Sequence, residues 1–388
     1  MKRFFILLGV LFLFAEKPSY SQTLNPFYQS IVANAKYDSI LNYLERFENF
    51  GVKETGSIEL SDAGMWIYNK YLSYGYSVKR DTFSFFGNTF FNVVATKTGT
   101  IEPNTYVIVG AHYDSKNGSG TNDNGSGTAI LLEAARIMAA TPTAFSVRFI
   151  SFSAEEIGLV GSNHYVDDIV VPQAMQIRVM FNIDEVGGVA GEINDTITCE
   201  EDDSNSPPSN NATSALYTDT LENLTYLYSS LFAKRASAYS SDYMPFEDAG
   251  YIITGYYETN ESSVPHSSSD LLENLDTSYV FEISRAATGA ILYFAQAYDP
   301  GVYASSARIS EIKVWPNPVM DEINISSAAN EILKATLYSQ LGQNLKSIDL
   351  PVNYTTKMDL SNIASGLYSV KISNVNGEIV NILKVVKQ

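Results

Sequence analysis

At 388 residues, 45% of them hydrophobic and 12% aromatic, the chain exceeds the usual size of one compact domain and can bury a sizeable core. Wholesale disorder is excluded, and a main domain plus a smaller one is expected. The net charge of −18 is concentrated: residues 22–307 hold 14 Lys and Arg against 35 Asp and Glu, whereas residues 308–388 hold 8 against 7. A body that acidic repels phosphate backbones and anionic lipid surfaces, so no nucleic-acid partner is expected.

The chain opens on Lys2 and Arg3, an unbroken apolar run over residues 4–14, and the small residues Ser19 and Ser21. This pattern predicts a signal peptide over residues 1–21, cleaved before Gln22. The run is too short to span a bilayer and no later stretch is long enough, so no transmembrane anchor is expected. Cys199 is the only cysteine. An intramolecular disulfide is therefore impossible, and an exported protein must draw its stability from core burial and bound metal.

Residues 34–74 read as helical. Ile40, Leu41, Tyr43, Leu44 and Phe47 recur at helical spacing, and Ser61-Asp62 is placed to cap a second helix through Trp66, Ile67 and Tyr71. Strand patterns follow at 77–85, 89–96 and 105–111, then a helix at 129–139. Short apolar, β-rich runs lie at 147–152, 177–183 and 251–257, and a helix at 277–297 closes the body. Strands alternating with helices predict an α/β domain over residues 22–300, a mostly parallel mixed sheet flanked by helices. Residues 200–213, EEDDSNSPPSNNAT, read as a solvated loop, because the spaced oxygen ligands of known calcium loops are missing. Residues 301–308 read as a linker. From 309 to 388 short alternating strands, with Gly342 and Gly366 as turn points, predict a small all-β sandwich.

Chemistry gathers where strands should end. The strand pattern at 105–111 runs into His112-Tyr113-Asp114, and a histidine at a carboxyl strand end points into the crevice where open α/β sheets bind ligands. Asp114 is placed to accept the other ring N–H and fix the tautomer. In Gly120-Thr121-Asn122-Asp123-Asn124-Gly125-Ser126-Gly127 the glycines let the backbone approach closely around a carboxylate with two oxygens to share between cations. Glu155 and Glu156 end the run 147–152. Two buried carboxylates without a cation are costly, and neighbours in extended chain project oppositely, one towards metal and the other towards water and substrate. Asp184 repeats the pattern after 177–183, and His266 lies in Val264-Pro265-His266-Ser267-Ser268-Ser269-Asp270. Taken singly, each also reads as an ordinary structural feature: a strand-end histidine, a turn before a helix. The third histidine, His164, falls in a predicted helix and reads as a surface residue.

The ordered set His112-x-Asp114, Asp123-Asn-Gly-Ser-Gly, Glu155-Glu156, Asp184 and His266 resembles peptidase family M28, the dizinc exopeptidases typified by secreted bacterial leucyl aminopeptidases. The likeness spans residues 35–298. It implies two Zn2+, with Asp123 bridging them, His112 and Asp184 on one, Glu156 and His266 on the other, Glu155 as general base and Asp114 supporting His112. Peptide or protein substrates and a monomer are implied. Ser241-Asp242-Tyr243 replaces the family's usual Ser-Asp-His, and Tyr239 stands one position out of step with the tyrosine that steadies the oxyanion in some secreted members. A glutaminyl cyclase on the same fold, a carboxypeptidase of the same family and a metal-free receptor domain are the alternatives. None of the five ligands is missing, which speaks against the receptor. Beyond residue 309, Val314-Trp315-Pro316-Asn317-Pro318, Tyr338-Ser339-Gln340-Leu341-Gly342-Gln343, Gly366-Leu367-Tyr368 and Lys384-Val385-Val386-Lys387 resemble a type IX secretion sorting domain. That likeness implies handling by the type IX machinery and export through the periplasm, to the medium or the cell surface.

Overall fold

The computed structural model describes residues 22–300, 312–327, 332–339, 343–352, 355–374 and 379–388. The expected signal peptide, the linker and the Gly342 turn lie outside the described residues. The chain divides into two compact units, Met1–Ala297 and Tyr298–Gln388. Among the described residues no helix is long and apolar enough to cross a membrane.

The strands of the first unit are β1 (Ser77–Phe85), β2 (Asn88–Lys97), β3 (Glu102–His112), β4 (Phe145–Phe152), β5 (Gln176–Ile183), β6 (Thr196–Glu201), β7 (Phe232–Ser237) and β8 (Ile253–Glu258). They form one sheet in the order β1-β2-β4-β3-β5-β8-β6-β7. The four central strands, β4, β3, β5 and β8, run parallel. β2 joins β4 antiparallel, and β6 joins β8 antiparallel. The sheet is thus the expected mixed, mostly parallel one.

Its central strands are largely apolar because both faces are covered. Val107 and Val109 of β3, Phe149 of β4, and Val179 and Phe181 of β5 enter one core. The residues between them, Ile108, Ile150 and Met180, enter another, as the two-residue period of a strand requires. The helices are α1 (Pro26–Val32), α2 (Tyr37–Glu48), α3 (Ile58–Ser73), α4 (Gly125–Met138), α5 (Val160–Tyr165), α6 (Asn211–Tyr228), α7 (Met244–Asp248) and α8 (Thr277–Phe294). α8 is buried along Ala286, Ala287, Gly289 and Ala290. At Gly289 a side chain would overlap the Tyr228 ring, so only glycine lets α6 and α8 meet there.

Two local expectations change. α3 begins at Ile58, capped by the Ser57 side chain accepting the Leu60 N–H, not at Ser61-Asp62, so one more turn packs against the sheet. β6, α6, β7 and α7 fill a stretch in which only a loop over residues 200–213 was expected; β6 takes its first two residues and α6 its last three. β7 is an edge strand, largely exposed and rich in charge, and carries no hydrophobic alternation to announce it.

The second unit contains β9 (Lys313–Trp315), β10 (Glu322–Ser326), β11 (Leu333–Tyr338), β12 (Asn344–Leu350), β13 (Thr355–Asp359), β14 (Gly366–Ser373) and β15 (Ile379–Lys387). They make two antiparallel sheets, β13-β10-β9 and β12-β11-β14-β15. Both contribute to one core of Ile323, Ile325, Leu333, Leu337, Val370 and Ile372.

Candidate metal centre

The parallel strands β3, β4, β5 and β8 end on one side of the sheet, and the loops leaving those ends carry every ligand singled out above. His112 is the last residue of β3 and Asp184 follows the last residue of β5. Asp123 lies just before α4, and His266 lies in the loop after β8. That loop packs directly on the segment before Asp123: a side chain at Gly118 would run into the Ser267 carbonyl.

Two donor sets result. His112 Nε2 lies 3.1 Å from Asp123 Oδ1 and 3.2 Å from Asp184 Oδ1. His266 Nε2 lies 3.1 Å from Asp123 Oδ2 and 2.8 Å from Glu156 Oε2. Asp123 therefore offers one oxygen to each set, and each set can hold a metal ion. Asp184 Oδ1 and Glu156 Oε1 are buried without a hydrogen-bond partner. On the far side of the His112 ring, Nδ1 lies 3.2 Å from the Asp114 carbonyl. Placing the ring proton there leaves the Nε2 lone pair facing two carboxylate oxygens. Acceptors converging on one point, with no proton between them, fit a cation.

The electrostatics make the same demand. Burial, reinforced by Asp242, Asp184 and Asp114 and opposed by His112, pushes the Glu155 carboxyl up to about 10. Burial and then Asp123 push Glu156 up to about 8, while burial, Asp123 and Asp184 push Glu185 up to about 10. Burial alone would lower the His112 pKa, but Asp184 and Glu155 raise it well above the usual value. The protein's own cations do not balance this many buried acids.

Asp114 Oδ1 stands 3.6 Å from His112 Nδ1, and the carboxylate also accepts the backbone N–H groups of Glu155 at 3.2 Å and Glu156 at 3.1 Å. Two sequence expectations need correction. The two glutamates do not sit on extended chain. Ala154 adopts φ +63°, so a left-handed bend closed by Asp114, rather than strand alternation, sends them apart. His164 is not a free surface residue either: its ring stacks on Phe83, with Nδ1 on Asp168 and Nε2 on Asp81. Tyr239 is 60% exposed and does not line the cleft, whereas Ser240 does.

Several supporting residues carry no recognisable motif. Asp270 accepts the backbone N–H groups of Asn122 at 2.6 Å and Asp123 at 3.1 Å, pinning the shared carboxylate. Glu258 takes the Asn122 side-chain amide and the N–H groups of Gly188 and Ser262. Ser241, from the Ser-Asp-Tyr run, takes the Asn182 amide and donates to Asp184 Oδ2. Lys53 is fully buried and donates to the carbonyls of Gly51 and Ser119. Asp270 was visible only as the end of the His266 run; Lys53 left no signal. The cleft over both donor sets encloses about 350 Å³ and is also lined by Lys116, Leu159 and Glu185.

Residues 313–388 match the secretion system C-terminal sorting domain. An aminopeptidase of Bacillus subtilis, YwaD, is 35% identical over 204 residues, 45% of this chain and 40% of that protein. An aminopeptidase of Pseudomonas aeruginosa is 46% identical over 99 residues, 25% of this chain and 18% of its own length. The matches therefore span less than half of these relatives. In fold, the LapA aminopeptidase of Legionella pneumophila is similar at TM-score 0.63 and 20% identity, over 77% of this chain and 81% of that one. A glutaminyl cyclase of Macrostomum lignano is similar at TM-score 0.62 and 15% identity, over 72% and 97%. Residues 92–291, half of the chain, match the model of peptidase family M28, and the chain belongs to that family.

Proposed function

We propose that the protein is an exported dizinc aminopeptidase. The observation that carries this reading is the pair of donor sets sharing Asp123 in one cleft with Glu155. Each set combines an imidazole, a carboxylate and half of a shared carboxylate, which suits zinc. His112 and Asp184 would hold one ion, Glu156 and His266 the other, and Asp123 both. Two zinc ions there would polarise the peptide carbonyl and lower the pKa of water.

Glu155 then moves the proton. Its backbone N–H rests on Asp114, and its side chain lines the same cleft as the donor sets. It accepts a proton from the water whose oxygen bonds to the carbonyl carbon. It returns that proton to the nitrogen as the C–N bond breaks. Asp270, Glu258 and Ser241 hold the ligands in place.

The balance of charge in the cleft favours an amino terminus over a carboxyl terminus. A terminal ammonium needs an acid, and Glu185 lines the cleft with no ion pair among the described residues. A terminal carboxylate needs a cation, and the cleft offers only the exposed Lys116. Aminoacyl anilides should be cleaved and their N-acetylated forms spared. Cleavage of N-blocked peptides from the carboxyl end, or cyclisation of an N-terminal glutaminyl peptide without anilide cleavage, contradicts the assignment.

Two further results are expected. Asp270→Asn keeps the shape but sets an NH2 group against one of two backbone donors. It should weaken zinc affinity about 10- to 100-fold, read by competition with a chromogenic chelator; unchanged affinity would remove Asp270 from the account. Residues 309–388 are proposed to serve sorting alone, because each unit has its own core. A chain of residues 22–306 should keep kcat/KM and Tm near those of 22–388. In the native host it should remain in the periplasm, and efficient release would refute the sorting role.

A further inference from the structure

Residues 202–210 form the expected loop, largely exposed, but the loop is not solvated throughout: Asp202 and Asn210 at its two ends are buried. Glu200 and Glu201 close β6, and Asp202, the next residue, is fully buried. The chain then folds back over the segments flanking α7. The Ala238 N–H donates to the Glu201 carbonyl at 2.8 Å. Asn205 Nδ2 donates to the Ala238 carbonyl at 3.2 Å, and Asn210 Nδ2 to the Tyr251 carbonyl at 2.8 Å. Glu247 of α7 is also fully buried, and Asp202 is its strongest charged neighbour.

Neither acid is compensated. Both oxygens of Asp202 and both of Glu247 are shut off from solvent and make no hydrogen bond. The Asn205 N–H and the Ser214 hydroxyl lie near Asp202 without reaching hydrogen-bond geometry. Arg235 on β7 is committed to Glu201, Asp219 and Glu222. At the other end of the same loop, Asn210 is 5% exposed and its Oδ1 has no partner. The Asn210 amide cannot be turned over, because that would set its oxygen against the Tyr251 carbonyl. Buried, unpaired oxygens without nitrogen or sulfur among them are the donor set of a hard cation.

We propose that Asp202, Glu247 and Asn210 form a calcium site, separate from the zinc centre, which ties the β6–α6 loop to α7. Two carboxylates, each able to bind through both oxygens, and one amide supply up to five of the roughly six to eight oxygens calcium takes. Backbone carbonyls and water complete the shell. Magnesium is disfavoured because it demands tight octahedral geometry and gives up water reluctantly.

The test uses the full chain at saturating zinc, titrated with CaCl2 by calorimetry and melted with and without about 10 mM CaCl2. One calcium ion should bind with Kd of about 10⁻⁴–10⁻³ M or tighter, and Tm should rise by about 4 °C or more. Asp202→Asn and Glu247→Gln should abolish both effects while zinc content and kcat at 25 °C stay unchanged. Absence of binding, or a Tm rise that survives in both variants, overturns the proposal. So does a pair of variants at least as stable as the parent with or without CaCl2, which would mean that the two carboxyls share a proton. Should the variants fail to fold, crystals grown in CaCl2 decide: density for calcium between Asp202 and Glu247 supports the site, and its absence overturns it.

Discussion

Glu155→Gln should lower kcat by about 10²–10⁴-fold, the usual contribution of a positioned general base, while both zinc ions stay bound. The substitution keeps the shape and leaves the backbone N–H on Asp114 intact. It removes only the ability to take up a proton. Glu156→Gln should behave differently, although the two residues are neighbours. Glu156 Oε2 stands 2.8 Å from His266 Nε2 and its Oε1 has no partner, so an amide there loses a ligand. Zinc content should fall from two per chain towards one. Metal analysis of the two variants beside their kcat values separates the roles, and the opposite pattern of metal content would reverse the assignment.

Dialysis against a chelator should abolish peptide cleavage, and zinc should restore it. Cobalt or manganese is accepted by the same ligand types. The metal-free protein should also melt about 10 °C lower, because binding free energy at this site is folding free energy. Its pH dependence follows from the crowded acids. Burial and Asp123 raise the Glu156 carboxyl from 4.5 to about 8. Between those values the folded state holds a proton that the unfolded state has released. Stability of the metal-free protein therefore falls as pH rises through that window. Zinc replaces the proton, so the zinc-loaded protein should show a flatter profile. Thermal melts from pH 5 to 8 with and without zinc check this. A metal-free protein that gains stability across the window contradicts it.

The legible part of the molecule was the part where physics leaves few choices. Strands buried on both faces must be largely apolar, so β3, β4 and β5 stood out. Polar residues at their ends stood out by type and position, so His112, Asp123, Glu156, Asp184 and His266 could be named as candidate ligands and Glu155 as a candidate base once the order of the motifs resembled family M28. What stayed hidden depends on long-range geometry. The hold of Asp114 on the Glu155 and Glu156 N–H groups stayed hidden because the bend at Ala154 is invisible in a string of residue types. Lys53 sits beneath the Asp123 loop only because residues far apart in sequence converge there. The acids at 200–203 looked like a surface loop, since composition cannot reveal that Asp202 is covered by the chain that follows it. β7, exposed along an edge, had no apolar alternation to read.

The central claim is that two cations share Asp123. Diffraction data collected on either side of the zinc absorption edge test it most directly, from crystals of protein purified without chelator and without added metal. Two anomalous peaks should appear, one between His112 and Asp184 and one between Glu156 and His266, each in contact with a different oxygen of Asp123. A single peak, or two peaks that leave Asp123 without a metal contact, would contradict the account.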